Sequence, residues 1–315
     1  MSKHIGLLLM VFSIAGHSTV FSKLKEPKVL IIGVDGTRTD ALKKARTTHF
    51  DRLIDKGLLV QDMNILSDKS KGADTVSGPG WSNILTGVWP AKHQVKNNSF
   101  KRNNLEEYPH FFVHLKKYYP QAVTASLVSW KPIQKYIVRG ADLNIFKSSS
   151  SNVGDIEIAS HKLDGQINEE AIKIIGREDD LTAMFVYFHQ VDEIGHGLGF
   201  DPNNPSYIKA IENVDHYVGK LTNALTLRNR YENENWLIVV CTDHGGWKRN
   251  HSKGHKRKEV AQVFTILSGS SVDQEARIES SYLPDITATV VKHLGLSLPE
   301  NSLDGSVIGL KNSFM

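Results

Sequence analysis

Three apolar, β-branched runs in this chain each deliver carboxylate or imidazole side chains within a few residues of their ends. Val29-Leu30-Ile31-Ile32-Gly33-Val34 leads to Asp35, Ala183-Met184-Phe185-Val186-Tyr187-Phe188 to Asp192 and His196, and Trp236-Leu237-Ile238-Val239-Val240-Cys241 to Asp243 and His244. His255 follows a short loop later. Runs of this length without polar alternation read as strands buried on both faces, as in a parallel sheet. Open α/β sheets gather ligands outside the carboxyl ends of such strands. Six nitrogen and oxygen donors brought to one edge can hold two divalent metal ions. Aspartate with neutral imidazole suits zinc, and the histidine share disfavours calcium or magnesium. The pattern implies metal-assisted hydrolysis.

The remaining elements fit the same architecture. Strands are expected at 28–34, 58–65, 122–130, 236–241 and 262–267, besides the run ending at Phe188. Helices are expected from Asp40, over His49 to Lys56, from Pro79 to near Gly87, over 155–176 and over 284–294. From Ser206, the apolar residues Ile208, Ile211, Val214, Val218, Leu221 and Leu225 recur at three- and four-residue steps, one face of a long helix. Lys147 to Gly154 is serine-rich and reads as an exposed loop. The alternation predicts an α/β fold with a mostly parallel central sheet sandwiched by helices.

At 315 residues the chain can bury a large core, and one such domain accounts for it. Lys3 and His4 precede an apolar stretch from Ile5 to Ala15, followed by small or polar residues Gly16 to Thr19. Residues 1–19 are therefore expected to be a signal peptide, with an uncleaved anchor as the alternative, and 24–315 the metallohydrolase domain. No other stretch approaches the ~20 apolar residues of a membrane span. The location expected is exported, periplasmic or secreted. Cys241 is the only cysteine, so no intramolecular disulfide can form, and within a buried strand it acts as a small hydrophobe. The net charge of +4 favours anionic substrates, but the Lys and Arg residues are scattered and form no nucleic-acid module.

A nucleophile is available in Asp74-Thr75-Val76-Ser77-Gly78-Pro79-Gly80-Trp81. Ser77 sits just before a helix start, where free backbone N–H groups favour a phosphate. The bland reading is that Ser77 is an N-cap, and Thr75 is the competing hydroxyl. His189, at the end of its strand, reads as a core or rim histidine. Lys253, Lys256, Arg257 and Lys258 read either as a solvated loop or as a rim that attracts phosphate. Two glycosylation sequons, at Asn97 and Asn250, fall on the expected site; glycans there would obstruct it, which favours a bacterial exported protein.

These residues also carry a resemblance. Val29 to Gly36, Ser77-Gly78-Pro79-Gly80 with Leu85-Thr86-Gly87-Val88-Trp89-Pro90-Ala91-Lys92-His93, Asp192-Glu193-Ile194-Gly195-His196, Thr242-Asp243-His244-Gly245 and Leu303-Asp304-Gly305 resemble motifs of the alkaline phosphatase superfamily. The likeness is to its nucleotide pyrophosphatase/phosphodiesterase branch. The resemblance implies an alkaline phosphatase-like fold. It also implies that Asp35, Ser77, Asp243 and His244 bind one metal and that Asp192, His196 and His255 bind the other. His251 competes with His255, because Lys256 stands where the family has glycine. Asn98 matches an asparagine that contacts a phosphoryl oxygen.

The function expected is hydrolysis of a small-molecule phosphate ester, a nucleotide or other phosphodiester, through Ser77 and a covalent phosphoseryl intermediate. Phosphomonoesterase activity at the same site is the nearest alternative. A sulfatase fits less well, since Trp81 replaces the arginine of the C/S-x-P-x-R motif. A non-catalytic ligand-binding homologue is the remaining reading.

Overall fold

The computed structural model describes residues 25–149 and 155–314. The signal-peptide segment lies outside the described residues, as do residues 150–154 of the serine-rich loop.

The strands are β1 (Glu26–Val34), β2 (Gly57–Asn64), β3 (Val123–Val128), β4 (Leu143–Phe146), β5 (Leu181–Phe188), β6 (Glu234–Cys241) and β7 (Gln262–Ser268). They form one sheet in the order β2-β7-β6-β1-β5-β3-β4. The β1, β3, β4, β5 and β6 pairings are parallel, while β7 runs antiparallel to both β6 and β2. The mostly parallel expectation therefore holds, with β7 as the one reversed strand of the sheet. The four-residue β4 was not expected; it is too short for its periodicity to stand out.

The helices are α1 (Thr39–Leu42), α2 (Thr48–Asp55), α3 (Ser77–Thr86), α4 (Pro90–His93) and α5 (Phe111–Tyr118), followed by α6 (Ile156–Arg177), α7 (Gln190–Leu198), α8 (Pro205–Thr226), α9 (Lys258–Ala261) and α10 (Pro284–His293). Side chains alternate across a strand, and β1 divides between two cores accordingly. Val29 and Ile31 face a layer containing Trp81 and Leu85 of α3, Phe112 of α5 and Ile286 of α10. Leu30, Ile32 and Val34 face Ile167 and Ile174 of α6, Val214 and Val218 of α8, and Phe50 of α2. Each fully buried Val, Leu or Ile contributes roughly 1.5–3 kcal/mol relative to exposure. Helices on both faces of the sheet follow from that division.

Register then sets the working edge. Val34 pairs with Phe188 and Gly33 with Cys241, so β1, β5 and β6 end together. Asp35, the start of α7 and Asp243 consequently emerge side by side.

Two helix starts on this scaffold are capped from a distance. Asp164 of α6 accepts hydrogen bonds from the backbone N–H groups of His189 and Gln190 (both 3.0 Å), which open α7. Asp215 of α8 does the same for His49 and Phe50 at α2. Helix α3 is buried along its whole length. Its Ser82 and Thr86 hydroxyls are satisfied within the helix, Ser82 Oγ donating to Gly78 O (2.7 Å) and Thr86 Oγ1 to Ser82 O (2.6 Å).

Candidate metal centre and nucleophile

Asp35 is fully buried at the end of β1. Its Oδ2 accepts from Trp81 Nε1 (2.9 Å) and from the Tyr187 hydroxyl (2.6 Å). Its Oδ1 has no hydrogen-bond partner and lies 3.5 Å from His244 Nε2. Asp243 Oδ2 is also without a partner, 3.3 Å from the same nitrogen. Gly36 turns the chain after Asp35 at φ +68°, and a Cβ there would stand 2.6 Å from Asp192 Oδ1. Only glycine lets this turn pass so close to the next carboxylate.

Asp192 and His196 lie four residues apart on α7, hence on one face. Asp192 Oδ1 is the third orphaned carboxylate oxygen. His196 Nε2 lies 3.5 Å from Asp192 Oδ2, and His251 Nε2 lies 3.7 Å from Oδ1. The site thus contains two groups of metal-capable residues, Asp35–Asp243–His244 and Asp192–His196–His251, each with its ligand atoms within 4.8 Å of one another. The rings of His244 and His251 stack at 3.8 Å and join the groups.

The histidines share one tautomer. Nδ1 of His244 faces Gly245 O (2.9 Å), that of His196 faces Arg249 O (3.0 Å) and that of His251 faces Thr75 O (2.9 Å). A carbonyl only accepts, so each Nδ1 carries the proton and each Nε2 keeps a lone pair. His196 Nε2 and His251 Nε2 then approach to 2.9 Å with lone pairs facing. Burial holds His244 below the usual imidazole range. Burial, with the neighbouring His244, pushes His251 down to about 4.

The carboxylates crowd one another. Burial and the charge of Asp192 raise the Asp35 pKa, and burial with Asp35 and Asp192 raises that of Asp243 well above normal. Asp192 goes the other way: burial opposes ionisation, but His189 and the other imidazoles outweigh it. Burial also disfavours charge on His189, yet Asp192, Asp35 and Glu193 raise it to about 9. Three orphaned buried carboxylate oxygens facing three imidazole lone pairs fit divalent cations with nitrogen and oxygen ligands.

Ser77 is the first residue of α3, with Val76 in the capping position, so the serine does not cap. Its Oγ is 3.1 Å from His244 Nε2. Thr75 is otherwise engaged: its hydroxyl donates to His251 O (2.5 Å) and accepts from Gly254 N (2.8 Å). Asn98 Oδ1 accepts from Gly78 N (2.7 Å), which fixes the amide orientation and leaves its Nδ2 as donor.

Six of the seven expected ligands, Asp35, Ser77, Asp192, His196, Asp243 and His244, are brought together. His255 is not. It is exposed, and its Nε2 faces Ala73 O (2.8 Å). His251 takes that place because the 245–258 loop folds its buried side inward four residues earlier. Lys253, Lys256, Arg257 and Lys258 are exposed, with the Arg257 guanidinium 4.3 Å over the Trp247 ring. Residue-level reasoning also missed Trp81 and Tyr187 as partners of Asp35, and Asp164 as the cap of α7. The signal for Tyr187 was its position one residue before the end of β5, in register with Gly33.

Comparison with known proteins shows the family and the fold. The family model for type I phosphodiesterase / nucleotide pyrophosphatase matches residues 29–256. Human bis(5'-adenosyl)-triphosphatase ENPP4 is 25% identical over 252 residues, covering 76% of this chain and 52% of that protein. The chain thus spans about half the length of this curated relative. Among solved structures, a 2-O GAG sulfatase superposes with a TM-score of 0.70 at 14% identity, over 90% of this chain and 73% of that one. An inactive murine ENPP5 in complex with AMP gives 0.63 at 18% identity, over 89% and 98%. Both superpositions share the fold of this α/β sandwich. Orphaned carboxylates, lone-pair imidazoles and a serine at a helix start stand where the matched segment runs, and the chain belongs to the type I phosphodiesterase/nucleotide pyrophosphatase family.

Proposed function

We propose that this chain is a metal-dependent phosphoric ester hydrolase that cleaves phosphodiesters of nucleotide type, with Ser77 as nucleophile. The observation that carries this reading is Ser77 Oγ, 3.1 Å from His244 Nε2, beside two groups of carboxylates and imidazoles. Asp35, Ser77, Asp243 and His244 would hold one divalent ion, and Asp192, His196 and His251 the other, with His251 in place of His255. The donor set suits zinc. Three carboxylates and an ionised Ser77 carry four negative charges, which balance two dications. When bound, such a pair polarises a phosphoryl oxygen and lowers the pKa of the attacking hydroxyl.

Ser77 Oγ gives its proton to solvent and forms a bond to phosphorus as the opposite P–O ester bond breaks in line. The leaving alkoxide takes a proton from water. The phosphoseryl ester that remains, still carrying its second ester group, is cleaved by water to regenerate Ser77. Asn98 Nδ2 and the backbone N–H of Ser77 donate to the equatorial oxygens, where charge develops, since Gly78 N–H is held by Asn98 Oδ1 and Pro79 has none. Nucleotide substrates are supported by the AMP complex of the murine relative and by the triphosphatase name of ENPP4. Sulfatase chemistry has less support, because Trp81 occupies the arginine position and its indole N–H is committed to Asp35. Export, as residues 1–19 suggest, completes the proposal; no described helix is long and apolar enough to cross a membrane.

Hydrolysis of p-nitrophenyl phosphate, its bis-ester and its sulfate, with zinc and after chelation, tests the reading. The expected result is zinc-dependent preference for the bis-ester, abolished in Ser77→Ala. Preference for the monoester would make the enzyme a phosphatase at the same site. Wild-type rates in Ser77→Ala would remove the nucleophile assignment.

A further inference from the structure

We propose that Trp81 and Tyr187 are positioning residues that set the metal affinity of the Asp35–Asp243–His244 group, with Trp81 coupling the nucleophile helix to that ion. The inference rests on the two-metal reading above. A carboxylate offers about four lone-pair sites. Trp81 Nε1 at 2.9 Å and the Tyr187 hydroxyl at 2.6 Å occupy Oδ2 of Asp35, while Oδ1 stays free 3.5 Å from His244 Nε2. The carboxylate is thereby fixed in rotation with one oxygen presented to the site.

Both donors are neutral, so they orient Asp35 without cancelling its charge. Trp81 follows Ser77 by four residues, which puts both on one face of α3. The indole seat is specific. A Cβ on Gly33 would come within 2.4 Å of Trp81 Cη2, so β1 keeps glycine beneath the ring. Phe185 packs at 5.6 Å and Tyr187 edge-on at 5.4 Å, and all three aromatic residues are fully buried. One hydrogen-bonded unit therefore ties β1, β5 and α3 together at the carboxylate.

The test is a zinc titration of the full chain, competed against a chromophoric chelator, for wild type, Tyr187→Phe, Trp81→Phe and the double variant. Metal content and apo-protein thermal unfolding are measured alongside. Wild type is expected to bind two equivalents. Each single variant should weaken one equivalent by about 10–100-fold, the range for outer partners of metal ligands, and leave the other within about threefold. Hydrolysis by the variants should recover as zinc is raised. Tyr187→Phe keeps the ring and carries the test alone if Trp81→Phe does not fold. Unchanged affinities, or equal weakening of both equivalents, would overturn the inference. Wild type that binds two zinc ions without ester hydrolysis would remove the proposed function but keep the positioning role; wild type that binds none would remove both.

Discussion

Asp35 and Asp243 leave the sheet directly at the ends of two neighbouring strands, with His244 next in the chain, whereas Asp192 and His196 ride a separate helix and His251 reaches them from a loop. In the first group the ladder sets the geometry. Gly33 pairs with Cys241, so Asp35 and Asp243, each two residues on, arrive together, and all three members are fully buried. In the second group the His196 side chain is 41% exposed. Its loop partner is held by tethers: Asp74 Oδ1 accepts from Lys253 N and its Oδ2 from Ser252 Oγ (both 2.6 Å), while Thr75 bonds the His251 and Gly254 backbone. Lys248 and Lys253 take left-handed φ values of 55° and 56° to make the loop's turns. The segment just before the nucleophile thus anchors the more exposed group, while α3 after it packs on the buried one. On the proposed two-metal reading, the contrast predicts one tightly held ion and one exchangeable ion.

The largest effects should separate the two groups. Asp243→Ala removes a buried donor whose space neither solvent nor excess metal readily fills. A loss of about 10³-fold in kcat/KM, not recovered at high zinc, is expected from the several kcal/mol that a metal supplies. His196→Ala opens a position that water or added imidazole can reach, so about 10²-fold is expected, with partial recovery at high zinc. Steady-state kinetics across a zinc series read both variants. If both respond to zinc alike, the contrast between a tight and an exchangeable ion fails.

A finer test lies within the exposed group. His251→Ala should weaken one zinc equivalent by at least about 100-fold, the upper end of the range for outer partners of ligands, with a parallel loss of hydrolysis. His255→Ala should stay within about threefold of wild type, since its ring is exposed and its Nε2 bonds Ala73 O. Calorimetric zinc titration of the two variants decides between them. The reverse outcome would restore His255 as the ligand.

The same contrast explains what could be read from the sequence. Strand ends are written locally: an apolar run followed by Asp35, or by Asp243 and His244, marks both the element and the residue that leaves it. Asp192 and His196 were legible because they follow the apolar run that ends at Phe188, in a stretch that resembles a family motif; the helix that carries them was not expected. His251 and His255 stand four residues apart in a loop with neither period, so composition could not say which faces inward. The tethers that decide it, Thr75 and Asp74, lie more than 170 residues away in the chain. The partners of Asp35 and the caps from Asp164 and Asp215 are long-range contacts of the same kind. Burial on both faces fixed β1, β5 and β6, while the direction of β7 and the existence of β4 depended on pairing that no single run encodes.

The smallest effect concerns the fold that supports the buried group. His93 is the fully buried last residue of α4, accepting at Nδ1 from Val95 N (3.0 Å) and donating from Nε2 to Asn83 Oδ1 of α3 (2.8 Å). Both nitrogens are committed, so protonation at Nδ1 would break the Val95 bond. Burial lowers its pKa to about 3. The unfolded chain takes up this proton near pH 6.5, the native protein only near 3. Between those values the unfolded state binds more protons, so stability is full above about pH 6.5 and falls on acidification. The slope from this one group approaches about 1.4 kcal/mol per pH unit. His93→Gln can accept from Val95 and donate to Asn83 without titrating. Urea unfolding at pH 7, 6 and 5 should show the variant losing less stability per pH unit than wild type. Parallel slopes would mean that His93 titrates alike in both states and that α3 is not held by a neutral imidazole.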